Sequence, residues 1–317
     1  MKHSHAITAH RSSPTMTSRA SAGIADGICP ESHSDVRCML HDISSCPGCT
    51  TNPLDHPTDA IHAVRVGPHR RAIVCDMGEA RRRALYHPLQ ELSEGERVVI
   101  VGTGETAAIA FEYFRYDTPH EVVAFSAERQ FITSDVYCGL PVVPLEELAN
   151  SYPAEQNRAF VAVSYVQLNR IRRRLYDVVK AAGFACISYV SSHAAVTPDV
   201  EIGENTFVQE YVALQHGSRI GDNVYLCSGM CVGYGSVIEA DSFSSAHVTI
   251  GDFCALGRRS FLGAGSCVTD GHSVAEDCII GAGAVVLRDT EPRQVYLGNP
   301  ARPLGRDSYE TFGVADP

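Results

Sequence analysis

Residues 249–268 read TIGDFCALGRRSFLGAGSCV, and an aliphatic residue stands at every sixth position from Ile250 onward. The same spacing continues in both directions. The sixteen positions that it marks are Val196, Ile202, Val208, Leu214, Ile220, Leu226, Val232, Ile238, Ser244, Ile250, Leu256, Leu262, Val268, Val274, Ile280 and Val286. Only Ser244 is not aliphatic. Glycine often follows the aliphatic residue, and a small or β-branched residue usually stands four places after it.

A period of six does not fit an α-helix, because six residues at about 100° each end on a different face. It fits short strands joined by tight corners, where each hexad supplies one large and one small inward side chain. Three hexads then form a triangular coil, and successive coils stack at the ~4.8 Å spacing of parallel strands. The spacing predicts a parallel β-solenoid without a looped-out insertion; a solenoid with a different turn is the alternative.

The middle third alternates between strand and helix patterns. Residues 98–104 (VVIVGTG) predict a buried strand that runs into a glycine turn, and a helix follows over about 105–114. Further strands are predicted at 121–125, 141–143, 159–164 and 185–190, with helices near 145–150 and 168–182. This alternation predicts a Rossmann-like α/β domain with a parallel sheet. Its first turn could present backbone N–H groups to a phosphate. The third glycine of the usual phosphate-binding motif is missing, so the alternative is that Gly102 and Gly104 only allow tight packing.

Composition excludes several classes of protein. The 317 residues carry a formal charge of −11, and the basic residues do not gather on one helix, which argues against nucleic acid as a partner. The sequence contains no run of about 18 apolar residues, so no membrane span is predicted. The sequence has 12 cysteines. Because no export signal is recognised, they are expected to be reduced thiols of a cytoplasmic protein. Cys46 and Cys49 have half of a zinc-site spacing without a second pair, so no metal is predicted.

The chain is expected to divide into four parts. Residues 1–95 form a partly disordered extension with no recognisable family, and residues 96–192 form the α/β domain. The solenoid covers residues 193–303, and residues 304–317 form a tail.

The hexads and the ending of the repeat carry a resemblance. Together with residues 279–286 (IIGAGAVV) and 295–303 (VYLGNPARP), they resemble the hexapeptide-repeat acyltransferases, which implies a left-handed parallel β-helix. An α/β unit directly before the helix is similar to the sialic-acid O-acetyltransferases and their aminosugar N-acetyltransferase relatives. Residues 102–105 (GTGE), 139–144 (GLPVVP) and 191–193 (SSH) extend this resemblance over about 97–303.

The resemblance implies an enzyme of surface glycan or polysaccharide biosynthesis. It would move an acetyl group from acetyl-CoA, as co-substrate, to a hydroxyl or amine of a nucleotide-linked sugar. A homotrimer with sites between neighbouring subunits is implied as well. Acceptor contacts carried over by motif are Gly102, Thr103, Gly104 and Glu105. Donor contacts carried over are Gly263, Ala264, Gly265, Gly281, Ala282, Gly283, Asn299 and Pro300. Arg258 and Arg288 stand where a cation could meet the nucleotide phosphates, and the alternative is that they are only solvated surface arginines.

The catalytic base is where the sequence departs from the family. The family uses a corner histidine as general base, but the matching stretch, residues 231–236, has Tyr234 there, and a tyrosine is a poor base at neutral pH. His216 lies 18 residues earlier, at the same corner of the preceding coil. His247, in a stretch similar to a second family motif, falls on a different corner. Either histidine could replace the missing base, His247 also as a substrate ligand, and the alternative is that both are ordinary exposed corner residues. The alternative function is a catalytically degenerate relative that binds sugar nucleotide or CoA without turnover.

Overall fold

The computed structural model describes residues 95–314 and the backbone of two earlier strands, β1 (Ala60–Arg65) and β2 (Arg71–Asp76). These two strands pair as a separate two-stranded sheet. The rest of the predicted N-terminal extension, including Cys46 and Cys49, lies outside the described residues. Within the part that is described, no helix has both the length and the apolar character needed to cross a membrane.

The α/β domain is built on a five-stranded sheet with the order β5-β6-β4-β3-β7. Its strands are β3 (Arg97–Val101), β4 (Glu121–Ala127), β5 (Val136–Tyr137), β6 (Leu140–Pro144) and β7 (Arg158–Val161). All pairs are parallel except that of β5 with β6. The helices are α1 (Glu105–Asp117), α2 (Leu148–Ser151) and α3 (Arg170–Ala181), with short 3-10 turns at Arg129–Phe131 and Leu145–Glu147. The apolar run of β3 is fully buried because helices or strands cover both faces of a parallel sheet.

One predicted element of this domain is wrong. Residues 185–190 do not form a last strand of the α/β sheet; Cys186 makes only an isolated bridge to Ala159. Tyr189–Val190 form β8, which pairs with the β-helix instead. The apolar run is divided between two cores, since Phe184 and Cys186 pack in the α/β domain and Val190 packs inside the β-helix.

The repeat folds into the predicted left-handed parallel β-helix with three faces. The first face contains β8 (Tyr189–Val190), β11 (Phe207–Val208), β14 (Tyr225–Leu226), β17 (Phe243–Ser244), β20 (Phe261–Leu262), β23 (Ile279–Ile280), β25 (Gln294–Leu297) and β26 (Arg302–Asp307). The second contains β9 (Ala195–Val196), β12 (Ala213–Leu214), β15 (Cys231–Val232), β18 (Thr249–Ile250), β21 (Cys267–Val268) and β24 (Val285–Val286). The third contains β10 (Glu201–Ile202), β13 (Arg219–Ile220), β16 (Val237–Ile238), β19 (Ala255–Leu256) and β22 (Ser273–Val274), and α4 (Ser308–Phe312) ends the described chain.

Successive strands of a face are in register at an offset of one coil, as in Leu214↔Val232 and Val232↔Ile250. The aliphatic column points inward and forms one continuous core. At its single break, Ser244 is buried and its hydroxyl donates to the sulfur of Met230 at 2.8 Å. A large methionine at a position that is usually small therefore fills the space that Ser244 leaves.

Three edges separate the faces, and they are numbered in the order in which the chain passes them. The first edge joins the first and second faces and includes residues 191–194, 209–212, 227–230, 245–248, 263–266 and 281–284. The second edge joins the second and third faces and includes 197–200, 215–218, 233–236, 251–254, 269–272 and 287–290. The third edge includes 203–206, 221–224, 239–242, 257–260 and 275–278.

The α/β domain is fixed to the β-helix at the third edge by polar side chains. The Asn205 carboxamide accepts from the backbone N–H of Val161 in β7 at 2.7 Å and donates to Asn223 Oδ1 at 2.8 Å. Asn223 in turn donates to Asp241 Oδ1 at 2.9 Å. The fully buried Arg172 of α3 donates to the carbonyl of Asn223 at 2.8 Å. The residues Asn205, Asn223 and Asp241 form a ladder that joins three coils to the sheet.

Candidate active site

The glycine turn after β3 lies where the order of the sheet reverses. β3 has β4 on one side and the later strand β7 on the other, and ligands of open α/β sheets bind at such a point. Gly102 has φ +131°, and a Cβ there would lie 2.7 Å from the carbonyl oxygen of Ala162. Helix α1 begins after Gly104 with no side-chain cap, so its first N–H groups are free of a capping side chain and can face an anion. Gly102, Thr103, Gly104 and Glu105 therefore lie together in a turn that fits a phosphate.

The predicted donor residues lie along one edge of the β-helix. Residues 263–265 and 281–283 occupy the first edge in adjacent coils, and the N–H of Gly283 donates to the carbonyl of Ala264 at 2.9 Å. Gly298 follows β25 at the end of the same face, and its carbonyl accepts from the N–H of Val285. The exposed residues of this stripe are Ala264, Gly265, Ala282, Gly283, Asn299 and Pro300. Small side chains in three successive coils leave a shallow surface on which an extended chain can lie against backbone.

His247 stands on the first edge one coil before Gly265. It is exposed and has φ +58°. Its ring folds over the preceding coil, where a Cβ on Gly229 would lie 2.5 Å from His247 Nδ1. The ring can occupy this position only because residue 229 has no side chain.

A carboxylate that the sequence analysis missed lies on the same edge. Glu210 accepts a hydrogen bond from the hydroxyl of Ser228 at 2.7 Å and another from Tyr113 of α1. Gln209 accepts from the N–H of Ser228 at 3.2 Å and donates to Tyr225. The edge is therefore connected to the helix that begins at the glycine turn. The 18-residue phase could have placed Glu210 and Ser228 beside the donor residues, but the contact with Tyr113 could not be read from the repeat.

His216 and Tyr234 lie apart from this group, on the second edge. They occupy adjacent coils, as the phase predicts, and the N–H of Gly235 donates to the carbonyl of His216 at 3.0 Å. His216 Nδ1 lies 2.8 Å from Asp199 Oδ2, with 75% of the histidine side chain exposed. Within one chain, the structure therefore brings His247 and the donor residues together, and it places His216 and Tyr234 on another edge.

The two arginines considered for the phosphates differ in their surroundings. Arg258 lies on the third edge and donates to the buried Asp241 at 3.2 Å. Arg288 lines a cavity of about 250 Å³ at the carboxyl-terminal end of the β-helix, together with Tyr296 and Arg302. Arg288 is therefore the one of the two that faces an open space.

The cysteine of the first edge is not suited to covalent catalysis. Cys227 is half-buried, and burial raises the pKa of its thiol to about 12. A thiol must lose its proton to act as a nucleophile, so Cys227 stays protonated at neutral pH. Among the residues that the structure describes, no group of three histidine, cysteine or acidic side chains is placed to hold a metal ion.

Comparisons with known proteins agree with this architecture. The acetyltransferase domain of PglB from Neisseria gonorrhoeae superimposes with a TM-score of 0.61 at 27% identity, over 66% of this chain and 100% of that one. A second structure of that domain contains acetyl coenzyme A (TM-score 0.60, 26% identity, the same coverage). A third structure is a mutant of perosamine N-acetyltransferase from Caulobacter crescentus in complex with CoA and GDP-perosamine. It superimposes with a TM-score of 0.59 at 29% identity, over 68% of this chain and 99% of that one.

No family model matches the chain, and no curated protein matches it. The fold, the edge of small residues and these structures identify the chain as a hexapeptide-repeat acyltransferase. These structural neighbours are sugar acetyltransferases of the hexapeptide-repeat class, which matches the family expected from the motifs.

Proposed function

We propose that this acyltransferase moves an acetyl group from acetyl-CoA to the amine or hydroxyl of a nucleotide-linked sugar, in the biosynthesis of a surface glycan or polysaccharide. The observation that supports this proposal is the grouping of the candidate residues on the first edge of the β-helix. His247, the donor residues and Glu210 all lie there, and Tyr113 connects that edge to the helix of the glycine turn. Two neighbours that contain CoA and GDP-perosamine superimpose on 68% and 67% of this chain at 29% identity.

The donor would lie along the upper coils of the first edge. Its pantetheine arm would contact the backbone at Gly263–Gly265 and Gly281–Gly283, and Asn299 and Pro300 would border it. Arg288 would meet the nucleotide phosphates at the end of the β-helix. The nucleotide of the acceptor would bind at residues 102–105, because an uncapped helix N-terminus favours a phosphate.

His247 would act as the general base. The acceptor nitrogen or oxygen forms a bond to the thioester carbon, and the carbon–sulfur bond breaks. The acceptor proton passes to His247 and then to the sulfur of the leaving CoA, so no covalent enzyme intermediate is required. Backbone N–H groups of the edge are available as donors to the tetrahedral oxyanion.

Three further assignments are part of this proposal. The protein would be cytoplasmic, with the α/β domain holding the acceptor and the β-helix holding the donor. It would be a homotrimer, in which the first edge of one prism meets the second edge of its neighbour, so that His216 approaches the site of another subunit. A monomeric mass in analytical ultracentrifugation would contradict the shared site.

The test is release of free CoA thiol from acetyl-CoA with a panel of nucleotide-linked amino and hydroxyl sugars. His247→Ala is expected to lower kcat by about 10²–10⁴-fold, the usual contribution of a general base, and His216→Ala is the matched comparison. A loss of kcat in His216→Ala alone would indicate that the base is His216, on the second edge. Binding of acetyl-CoA without turnover of any acceptor would favour the degenerate relative that Tyr234 suggested.

A further inference from the structure

Glu210 differs from Asp241 and Asp277, two buried carboxylates that join elements of this protein, and resembles Asp117, which accepts from the hydroxyl of Tyr189 and the N–H of Ser192. Asp241 and Asp277 are buried and pair with arginine side chains. The partners of Glu210 are the hydroxyl groups of Tyr113 and Ser228. The charge of His193 acts on Glu210 and helps to lower its pKa, but within residues 95–314 no lysine, arginine or histidine nitrogen lies within the 4.0 Å of an ion pair with it. A carboxylate removed in part from water usually has a cation beside it, and within that distance the described residues supply none.

The carboxylate is held ionised and has room for another donor. Burial acts to raise the pKa of Glu210, but the hydrogen bonds from Tyr113 and Ser228 outweigh it and leave the pKa below its usual range. Each oxygen accepts one of these two bonds. Since a carboxylate can accept about four hydrogen bonds, both oxygens can still accept from a ligand.

Glu210 and His247 stand on the same edge, two coils apart along the chain, and backbone hydrogen bonds join each coil to the next. Glu210, Ser228 and Ala246 follow one another at intervals of one coil on the first edge, which is about 5 Å along the stack. The His247 ring folds down toward Gly229 and so lies above the coil of Glu210. The ring therefore takes the place that a side chain at residue 229 would fill, one coil from Glu210.

We propose that Glu210 determines the class of acceptor: its carboxylate binds the ammonium group of an amino sugar, so that an amine is acetylated in preference to a hydroxyl. This inference rests on the proposed function. The bound ammonium gives one proton to His247, and the free amine then forms the bond to the thioester carbon. The carbon–sulfur bond breaks, the sulfur takes up a proton, and the amide product leaves one proton in solvent.

The experiment compares two nucleotide-linked sugars that differ only in an amine or a hydroxyl at the reacting carbon. Wild type, Glu210→Gln and Glu210→Asp are assayed by thiol release, with thermal unfolding as a check on folding. Glu210→Gln is expected to raise KM and lower kcat/KM for the amine by about tenfold or more, because an ammonium loses its counter-charge. For the hydroxyl sugar the change is expected to stay within about twofold. Glu210→Asp keeps the charge and should retain the preference for the amine.

Controls separate this inference from the proposed function. Glu239→Gln removes an exposed carboxylate on the third edge and should leave both kinetic constants unchanged. Equal losses of kcat/KM on the two sugars in Glu210→Gln, or no loss on the amine, would overturn the role of Glu210 while leaving the acetyltransferase assignment in place. If wild type turns over neither sugar and binds neither in calorimetry, the proposed function fails and the inference fails with it.

Discussion

The imidazole of His247 lies directly over the backbone of Gly229 in the preceding coil, so that a methyl group on residue 229 would be 2.5 Å from Nδ1. Both residues have left-handed backbone conformations, with φ +58° and +74°. The position of the proposed base therefore depends on a residue with no side chain one coil away. This dependence can be tested without changing the histidine.

Gly229→Ala is expected to displace the His247 ring and to lower kcat by about tenfold or more, since a misplacement of 1 Å can cost up to 10²-fold. The change also introduces a Cβ at positive φ, which costs about 1 kcal/mol. Thiol release and thermal unfolding measure the two effects separately.

Gly271→Ala is the control for that backbone cost. Gly271 has φ +72° on the second edge, and a Cβ there meets nothing within 4 Å. It should lose a similar stability and keep its kcat. A kcat of Gly229→Ala equal to that of Gly271→Ala would show that the ring position does not matter for turnover.

The glycine turn gives a second prediction, because its two glycines differ in the space around them. A Cβ on Gly104 meets nothing within 4 Å, and the residue has φ −99°. Gly104→Ala should therefore leave the melting temperature unchanged. If a phosphate approaches this backbone, the methyl group should raise KM for the nucleotide sugar by about tenfold, and KM for acetyl-CoA should not change.

Gly102→Ala is expected to behave differently. Its Cβ would collide with the carbonyl of Ala162, and φ is +131°, so a loss of stability of about 1–3 kcal/mol is expected. An unchanged KM for the nucleotide sugar in Gly104→Ala would indicate that the glycines serve tight packing rather than phosphate binding.

The donor end of the site gives a third prediction. Arg288 lines the cavity near Arg302, whereas Arg258 is held by Asp241. Arg288→Ala is expected to raise KM for acetyl-CoA by about five- to tenfold, since a partly exposed charge contact with a phosphate contributes about 1 kcal/mol or slightly more. The effect should be absent with a donor that lacks the nucleotide, such as an acetylated pantetheine. An equal change of KM with both donors would contradict a phosphate contact.

The fourth prediction concerns stability and pH. Asp277 is buried and contacts Arg259 at 2.9 Å, Arg170 at 2.9 Å and the hydroxyl of Tyr309 at 2.9 Å. Burial acts to raise the pKa of Asp277, but the hydrogen bond and charge of Arg259 outweigh it, and the pKa lies below its usual range. A lowered folded pKa stabilises the protein above the unfolded value of about 4 and loses that effect as the pH falls through the folded pKa.

Asp277→Asn is therefore expected to lower the free energy of unfolding by about 2–3 kcal/mol at pH 7. It removes the buried carboxylate beside Arg259 and Arg170, which keep their contacts with the exposed Glu276 and the Tyr309 hydroxyl. The difference in the free energy of unfolding between wild type and Asp277→Asn should become smaller below about pH 4. Urea unfolding at pH 7, 5 and 3.5 measures this difference, and Asp135→Asn, a change at an exposed aspartate, is the control. A gap that stays the same at all three pH values would contradict the ion-pair explanation.

The sequence predicted the β-helix well because each hexad repeats the same physical requirement. Fifteen aliphatic side chains at one spacing leave one arrangement that buries them together. The strand predicted at residues 185–190 was wrong because an apolar run does not say which of two neighbouring cores will take each residue. Contacts such as Cys186 with the α/β domain and Val190 with the β-helix depend on where the domains meet.

The candidate site was predictable only in part. The 18-residue phase correctly separates His247 from His216 and Tyr234, and motif resemblance selected the small residues that lie beside His247. The phase could have placed Glu210 on this edge, but its contact with the hydroxyl of Tyr113, 97 residues earlier, could not be read from the repeat. Gly229 was also missed, because the ring that lies over it belongs to another coil.

The ladder of Asn205, Asn223 and Asp241 has a consequence for the way in which the chain folds. Coils with nearly identical cores could stack one coil out of step at little energetic cost, as in any linear repeat. The ladder removes that freedom, because only one alignment lets Asn205 reach Val161 while Arg172 reaches the carbonyl of Asn223. A shifted stack would leave the Arg172 guanidinium buried without acceptors. The contacts with the α/β domain thus fix the register of the first coils in the folded protein.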